Sequence, residues 1–227
     1  MGEALVQKFP ALSAIGPLRH SFVLRQSGVQ VNVDRDCALA NLQPSFERAV
    51  TDLGFEPAQL ATAEQVHGGR IAVVGASAGI APPIPGVDGL IAQDPGVLLG
   101  IYVADCCAVY LADRRGRAVA LVHSGKRGTE LGIAPRAVAM LADLGAPPED
   151  LLVQLSPCIR PPAYEVDFAA RIRADCQSAG VPGEQIIDEQ ICTSGDLDCY
   201  YSYRVEKGKT GRMLALLGIA SLQPPRS

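Results

Sequence analysis

Histidine is nearly absent from this chain, with three in 227 residues. A site that needs many imidazoles is excluded, and each of the three becomes conspicuous. The seven cysteines, at 37, 106, 107, 158, 176, 192 and 199, contain no CxxC pair, so the strongest signature of a structural zinc site is missing. An odd number without repeated spacing fits reduced thiols, mostly buried as small apolar residues. There is no basic excess: 20 Lys and Arg stand against 24 Asp and Glu, a net charge of −4. A broad polyphosphate-binding face, and with it a nucleic-acid partner, is not expected. No apolar run approaches the ~18 residues of a membrane helix. Met1 to His20 shows no basic cap, apolar stretch and small-residue cleavage site in sequence, so the expected compartment is the cytoplasm. Glycine-rich phosphate loops of the dinucleotide or P-loop type are absent too.

What is present is a globular composition, 48% hydrophobic and 19% charged, enough for a sizeable core. We read residues 1–227 as one domain, a monomer or homodimer. His20-Ser-Phe-Val-Leu-Arg25 and Val29-Gln-Val-Asn-Val33 alternate in polarity and predict a strand pair. Phe46, Ala49, Val50 and Leu53 follow helical spacing, with Ser45 as N-cap and Gly54 as stop. Strands are expected at 70–74, 87–92, 97–103, 107–112 and 117–122, with a Gly- and Pro-rich loop over 76–86. Asp113-Arg-Arg-Gly116 marks a hairpin turn. Helices are predicted over 134–144, 168–179 and 209–217, and a strand over 151–155. The mixture indicates an α/β fold with layered helices and a mixed sheet.

Two of the three histidines sit beside glycine or at a strand end, with a cysteine between them in sequence: Gln65-Val66-His67-Gly68, Ala104-Asp105-Cys106 and His123-Ser124-Gly125-Lys126-Arg127-Gly128. Two imidazoles and one thiolate complete the protein ligands of a catalytic zinc, whose fourth position stays open. The ligands lie 39 and 17 residues apart, so no short metal motif is satisfied. Asp105, next to a ligand, is placed to carry protons, to orient a ligand imidazole, or simply to cap its turn. Lys126 and Arg127, between glycines, are candidates for gripping phosphate, or form a solvated turn.

These strings resemble the YfiH-type family, also called laccase-domain or multicopper-oxidase-like, whose members carry Q-x-H-G, T-A-D-C-x-P and H-A-G-W-R-G. Ser156-Pro-Cys-Ile159, Tyr164-Glu-Val166, Cys192-Thr193, Tyr201-Ser-Tyr-Arg204 and Gly211-Arg-Met213 are similar to its downstream pattern. The resemblance covers residues 46 to 217. It implies a βα-layered sandwich like that of a Cys-His deamidase toxin, and zinc on His67, Cys106 and His123. It also implies phosphorolysis of purine nucleosides (adenosine, inosine, guanosine, methylthioadenosine) and deamination of adenosine, so the expected partners are a purine nucleoside and phosphate. Arg48 falls where the family has an Asn-Arg pair, although Glu47 replaces the Asn. Lys126 stands where the family has Trp, Ala108 where it has Pro, and Val205 where it has a second Arg. These departures leave the ligands intact and put the substrate in question.

Two other readings compete. In one, Cys106 is a nucleophile and His123 its base in a thiol hydrolase or amidase acting on a cell-wall precursor. In the other, the chain is a non-catalytic metal-binding relative. Copper is the weaker choice of metal: three histidines cannot furnish several copper clusters, and no Met neighbours the trio as an axial ligand.

Overall fold

The computed structural model describes residues 4–76 and 82–221. The chain runs β1 (Val6–Gln7), α1 (Pro10–Ser13), β2 (Leu18–Val23), α2 (Arg35–Asp52), β3 (Leu60–Thr62), β4 (Ile71–Val73), β5 (Gly89–Ala92), β6 (Leu98–Val103), β7 (Cys107–Asp113) and β8 (Val119–Ser124). It continues with α3 (Lys126–Glu130), α4 (Ile133–Asp143), β9 (Leu151–Leu155), α5 (Phe168–Ser178), β10 (Ile186–Asp188) and β11 (Met213–Ile219). Part of the predicted 76–86 loop, residues 77–81, lies outside the described residues.

The strands form two mixed sheets, ordered β1-β2-β11-β6-β3 and β10-β9-β7-β8-β5-β4. The α/β expectation with a mixed sheet therefore holds, with two sheets instead of one. The central strands of the second sheet, β5, β7, β8 and β9, are buried on both faces. From β7, Ala108, Tyr110 and Ala112 pack into the core shared with the first sheet. Cys107, Val109 and Leu111 face the opposite way, onto α4 and α5. A strand covered on both sides needs apolar residues at every position, and that is why Cys107–Ala112 reads as a continuous hydrophobic run. The Tyr110 hydroxyl ties the sheets together by donating to the Ser21 carbonyl at 3.0 Å. Helix α2 lays Ala38, Leu42, Phe46, Ala49 and Val50 into the shared core, with Phe46 against Tyr102 of β6.

Three expectations need correction. The predicted helix over 209–217 is strand β11, hydrogen-bonded between β2 and β6. Met213–Ile219 is entirely buried, and a short run buried all round carries no periodicity to tell strand from helix. Gly218 fits the strand's crowding, since a Cβ there would lie 2.6 Å from the Val97 carbonyl oxygen. Residues 29–33 form no strand; β2 pairs instead with β1 and β11. Helix α2 begins ten residues before the expected Ser45 cap. Asp34 caps it, accepting from the amides of Asp36 and Cys37. Pro44 lies exposed inside the helix, where water can take up the carbonyl its missing N–H would have bonded. Burial of the opposite face keeps the helix continuous. Gly54, with φ +83°, ends it as expected.

Candidate metal centre

β6 belongs to the first sheet and β7 to the second, and residues 104–106 carry the chain between them. Cys106 sits at that crossing. The β7–β8 register pairs Ala108 with His123 and Cys107 with Ser124, so the ladder sets Cys106 opposite Gly125. A Cβ on Gly125 would lie 2.5 Å from Cys106 Sγ, and glycine there makes room for the sulfur. On the next strand Asp88, just ahead of β5, continues the ladder: its carbonyl accepts the His123 amide at 2.7 Å.

His67 comes from the loop between β3 and β4. Gln65 and His67 both adopt the left-handed backbone region, with φ 64° and 58°, unusual for side chains with a Cβ. Two clamps hold the loop there. The Gln65 carboxamide donates to the Tyr102 carbonyl at 2.6 Å and accepts the Tyr102 amide at 2.9 Å, mimicking a strand neighbour. The Asp88 carboxylate accepts the His67 and Gly68 amides at 2.8 and 2.7 Å. The same carboxylate meets His123 Nδ1 at 2.9 Å. One buried acid thus fixes the backbone of one histidine and the ring of the other.

The side chains of His67, Cys106 and His123 converge, with ligand atoms all within 4.8 Å of one another. The two imidazole rings stand 4.8 Å apart, edge to face. With Asp88 on Nδ1, His123 presents Nε2 to the centre, the carboxylate–histidine–metal arrangement of metalloenzymes. Donor chemistry and spacing therefore fit a divalent ion. Burial alone would raise the Cys106 thiol, but hydrogen bonds from His123 and His67 outweigh it and bring the pKa to about 6. Burial alone would lower His123, but Asp88 and Cys106 carry it up to about 9. Asp88 stays below its usual range despite burial, because His123 and the amides of Gly68 and His67 favour its charged form.

The trio opens into a cleft of about 670 Å³, within the ~300–1,000 Å³ range of small-molecule sites. Tyr102, Ile159, Tyr164 and Phe168 give it flat and apolar walls. Arg35, Lys126, Arg204, Lys207 and Arg212 give it positive charge.

The other predicted residues fare differently. Lys126 lines the cleft. Arg127 does not, because 126 and 127 are successive residues of α3 and point about 100° apart. Arg48 is not on the wall either; it lies 13 residues along α2 from Arg35, roughly 20 Å at 1.5 Å per residue. The Asp105 carboxylate orients neither imidazole. It accepts from the Thr193 hydroxyl and the Arg204 amide, both at 2.7 Å, and so anchors the loops of the far wall. The orienting carboxylate is Asp88, which the sequence reading passed over. Its signal was there: an acid opening the apolar strand in Val87-Asp-Gly-Leu-Ile91. Arg212 stood in the Gly211-Arg-Met213 string that resembles the family, though without a role assigned; Arg35 and Tyr102 carried no such signal, since only the fold brings them to the cleft.

Known proteins bear on this arrangement. The family described as multi-copper polyphenol oxidoreductase laccase matches residues 20–171 and 166–220. The chain is 30% identical over 240 residues to purine nucleoside phosphorylase YlmD of Geobacillus stearothermophilus, covering 89% of this chain and 86% of that one. It is 32% identical over 233 residues to a purine nucleoside phosphorylase of Deinococcus radiodurans, covering 88% of each. The crystal structure of YlmD from G. stearothermophilus superposes with a TM-score of 0.82 at 26% identity, over 96% of this chain and all of that one. Bacillus licheniformis YfiH shares the fold at a TM-score of 0.80 and 22% identity, over 89% of this chain and 92% of that one. Matched across nearly all its described length, in sequence and in fold, the chain belongs to the YfiH-type family of laccase-like multi-copper polyphenol oxidoreductases.

Proposed function

We propose that this protein is a zinc-dependent purine nucleoside phosphorylase whose site also deaminates adenosine. The observation that carries the reading is the convergence of His67, Cys106 and His123 at the floor of a cationic, aromatic-walled cleft. Relatives named purine nucleoside phosphorylase support it. His67, Cys106 and His123 would hold zinc as two neutral imidazoles and a thiolate, and the ion, with a net charge of about +1, would supply Lewis acidity and lower the pKa of water towards neutrality. Among the described residues no methionine lines the cleft as an axial copper ligand; the Met213 sulfur instead accepts the Tyr201 amide at 3.0 Å.

The chain's own residues bind, orient and screen. Asp88 holds His123 in one tautomer and one direction. Tyr102, Tyr164 and Phe168 offer faces for the purine ring. The cations of the wall draw phosphate in. In phosphorolysis a phosphate oxygen bonds to ribose C1′ as the C1′–N9 bond breaks, and its electron pair leaves with the base. In deamination water adds at C6 and ammonia departs. Lys126, at the mouth next to Gly125, shifts the preference among nucleosides.

The test is incubation of metal-loaded protein with adenosine, inosine, guanosine and methylthioadenosine, with and without phosphate, separating bases from nucleosides. Phosphate-dependent release of the free base is expected, and His67→Ala should lose both metal and turnover. No turnover on any of these substrates, beside an active relative in the same assay, would overturn the reading.

One observation favours a second reading. Cys106 at about 6 and His123 at about 9 form a thiolate–imidazolium pair across neutral pH, the resting form of a thiol hydrolase. Amidase activity that survives chelation and is lost in Cys106→Ser would select it.

A further inference from the structure

We propose that Arg35 and Arg212 form an oxyanion subsite that receives a phosphoryl group at the cleft wall. The assignment rests on the nucleoside reading above for its substrate class, and on the following geometry for its place. Both arginines line the cleft, one from the first residue of α2 and one from the segment leading into β11. They come from opposite ends of the chain and are close enough to repel. The proton affinity of Arg212 is lowered, first by burial and then by Arg35.

Neither forms an ion pair among the described residues. Among the described residues the Arg35 side chain makes no hydrogen bond or ion pair. Arg212 is half-buried; its Nη1 donates to the carbonyls of Thr210 and Gly211 at 3.1 and 2.8 Å, and its guanidinium lies 5.7 Å from the Tyr203 ring centroid. These contacts fix its plane, and among the described residues Nε and Nη2 make no hydrogen bond. Asp105 and Cys106 are opposite charges that act on Arg212; the Asp105 carboxylate spends its hydrogen bonds on the Thr193 hydroxyl and the Arg204 amide, and among the described residues it makes no salt bridge with either arginine. Arg204 itself is paired, with Glu165 at 3.1 Å.

Two like charges brought together, one partly desolvated, are costly unless an anion completes them. A fixed guanidinium fork suits the tetrahedral, multiply charged phosphoryl oxygens better than a carboxylate-sized or halide ion. The phosphoryl group has two possible sources: free inorganic phosphate, or the 5′-phosphate of a nucleotide.

Calorimetric titration of the metal-loaded full chain tests this, with inorganic phosphate, adenosine and adenosine 5′-monophosphate as probes. Arg35→Ala and Arg212→Gln should each weaken phosphoryl binding by about tenfold or more, the worth of one charge-assisted contact. Arg127→Ala should change it less than about twofold. Arg35 is exposed at a helix tip, so its variant keeps the fold even if Arg212→Gln does not. Loss confined to inorganic phosphate assigns the subsite to the free ion. Loss confined to the advantage of the monophosphate over adenosine assigns it to the ester. Wild-type affinity in both variants, or no measurable phosphoryl binding by the wild type, overturns the subsite whatever the nucleoside assay gives. Intact phosphate binding without turnover would instead leave the subsite standing and remove the proposed activity.

Discussion

Asp88 supports two of the three ligands at once, although it donates nothing to an ion. Its carboxylate spans His67, Gly68 and the His123 ring. Asp88→Asn keeps the shape, removes the charge and turns one acceptor into a donor. Metal affinity should fall about 10- to 100-fold, the usual cost of losing a partner behind a ligand, as measured by chelator competition. An unchanged affinity would show the carboxylate to be a backbone clamp only. At Gly125 the constraint is space. Gly125→Ala forces a methyl into Cys106 Sγ, so most bound metal should be lost on dialysis, for about 1–3 kcal/mol of overpacking strain. Full retention of metal with normal thermal stability would refute that. The ligand residues themselves were legible because histidine is so scarce and because glycine flanks two of them. Asp88 was not read, since a buried acid next to a strand looks like any turn residue until its three partners are in place.

At the scale of elements, the segment 201–212 builds one wall of the cleft and has no regular structure over most of its length. Glu206 organises it. Its carboxylate pairs with Arg25 at 2.7 Å and accepts from the Ser202 amide at 3.0 Å and the Thr210 hydroxyl at 2.5 Å. Arg25 in turn lies over the Tyr201 ring, 4.4 Å from its centroid. Glu206→Gln should loosen this wall. Amide exchange over 201–212 should quicken while the β7–β8 hairpin stays protected. A loss of about 1–2 kcal/mol would lower the thermal midpoint by roughly 2–8 °C; unchanged exchange would show that the turn holds without its anion. The hairpin and helices α4 and α5 were readable because glycine punctuates them: Gly116, Gly145 and Gly180 all take positive φ. Strand β11 and the first ten residues of α2 were not, and for opposite reasons. β11 is apolar on every side and shows no period. The start of α2 is polar on most sides, and Pro44 advertises a break that the buried face overrides.

For the molecule as a whole, His20 is one contributor to the response to acid, beside carboxylates such as Asp113 and Glu206 whose pKa values are lowered by folding. It is buried on β2, where its Nε2 accepts the Phe9 amide at 2.8 Å and its ring stacks on Phe9. Burial, then the charge of Lys8, lowers its pKa from 6.5 to about 4. Between those values the unfolded chain holds a proton that the folded chain refuses. The contribution is therefore complete above pH 6.5, shrinks as pH falls, and is gone below about 4. It amounts to about 3 kcal/mol. The thermal midpoint should drop across that window, and His20→Gln should flatten the drop at the cost of a lower plateau. A slope as steep in the variant as in the wild type would assign the acid sensitivity elsewhere.

The three donors of the centre differ in exposure: His123 is buried, Cys106 half-buried, and His67 open to solvent. His123 lies on β8 of the hairpin and Cys106 immediately precedes its β7, whereas His67 sits on a loop held at positive φ. His67 is the donor most open to solvent, so departure of a seated ion should begin with that arm letting go. Speed of exchange is thereby written in the loop and grip in the hairpin, so that each can be tuned without touching the other.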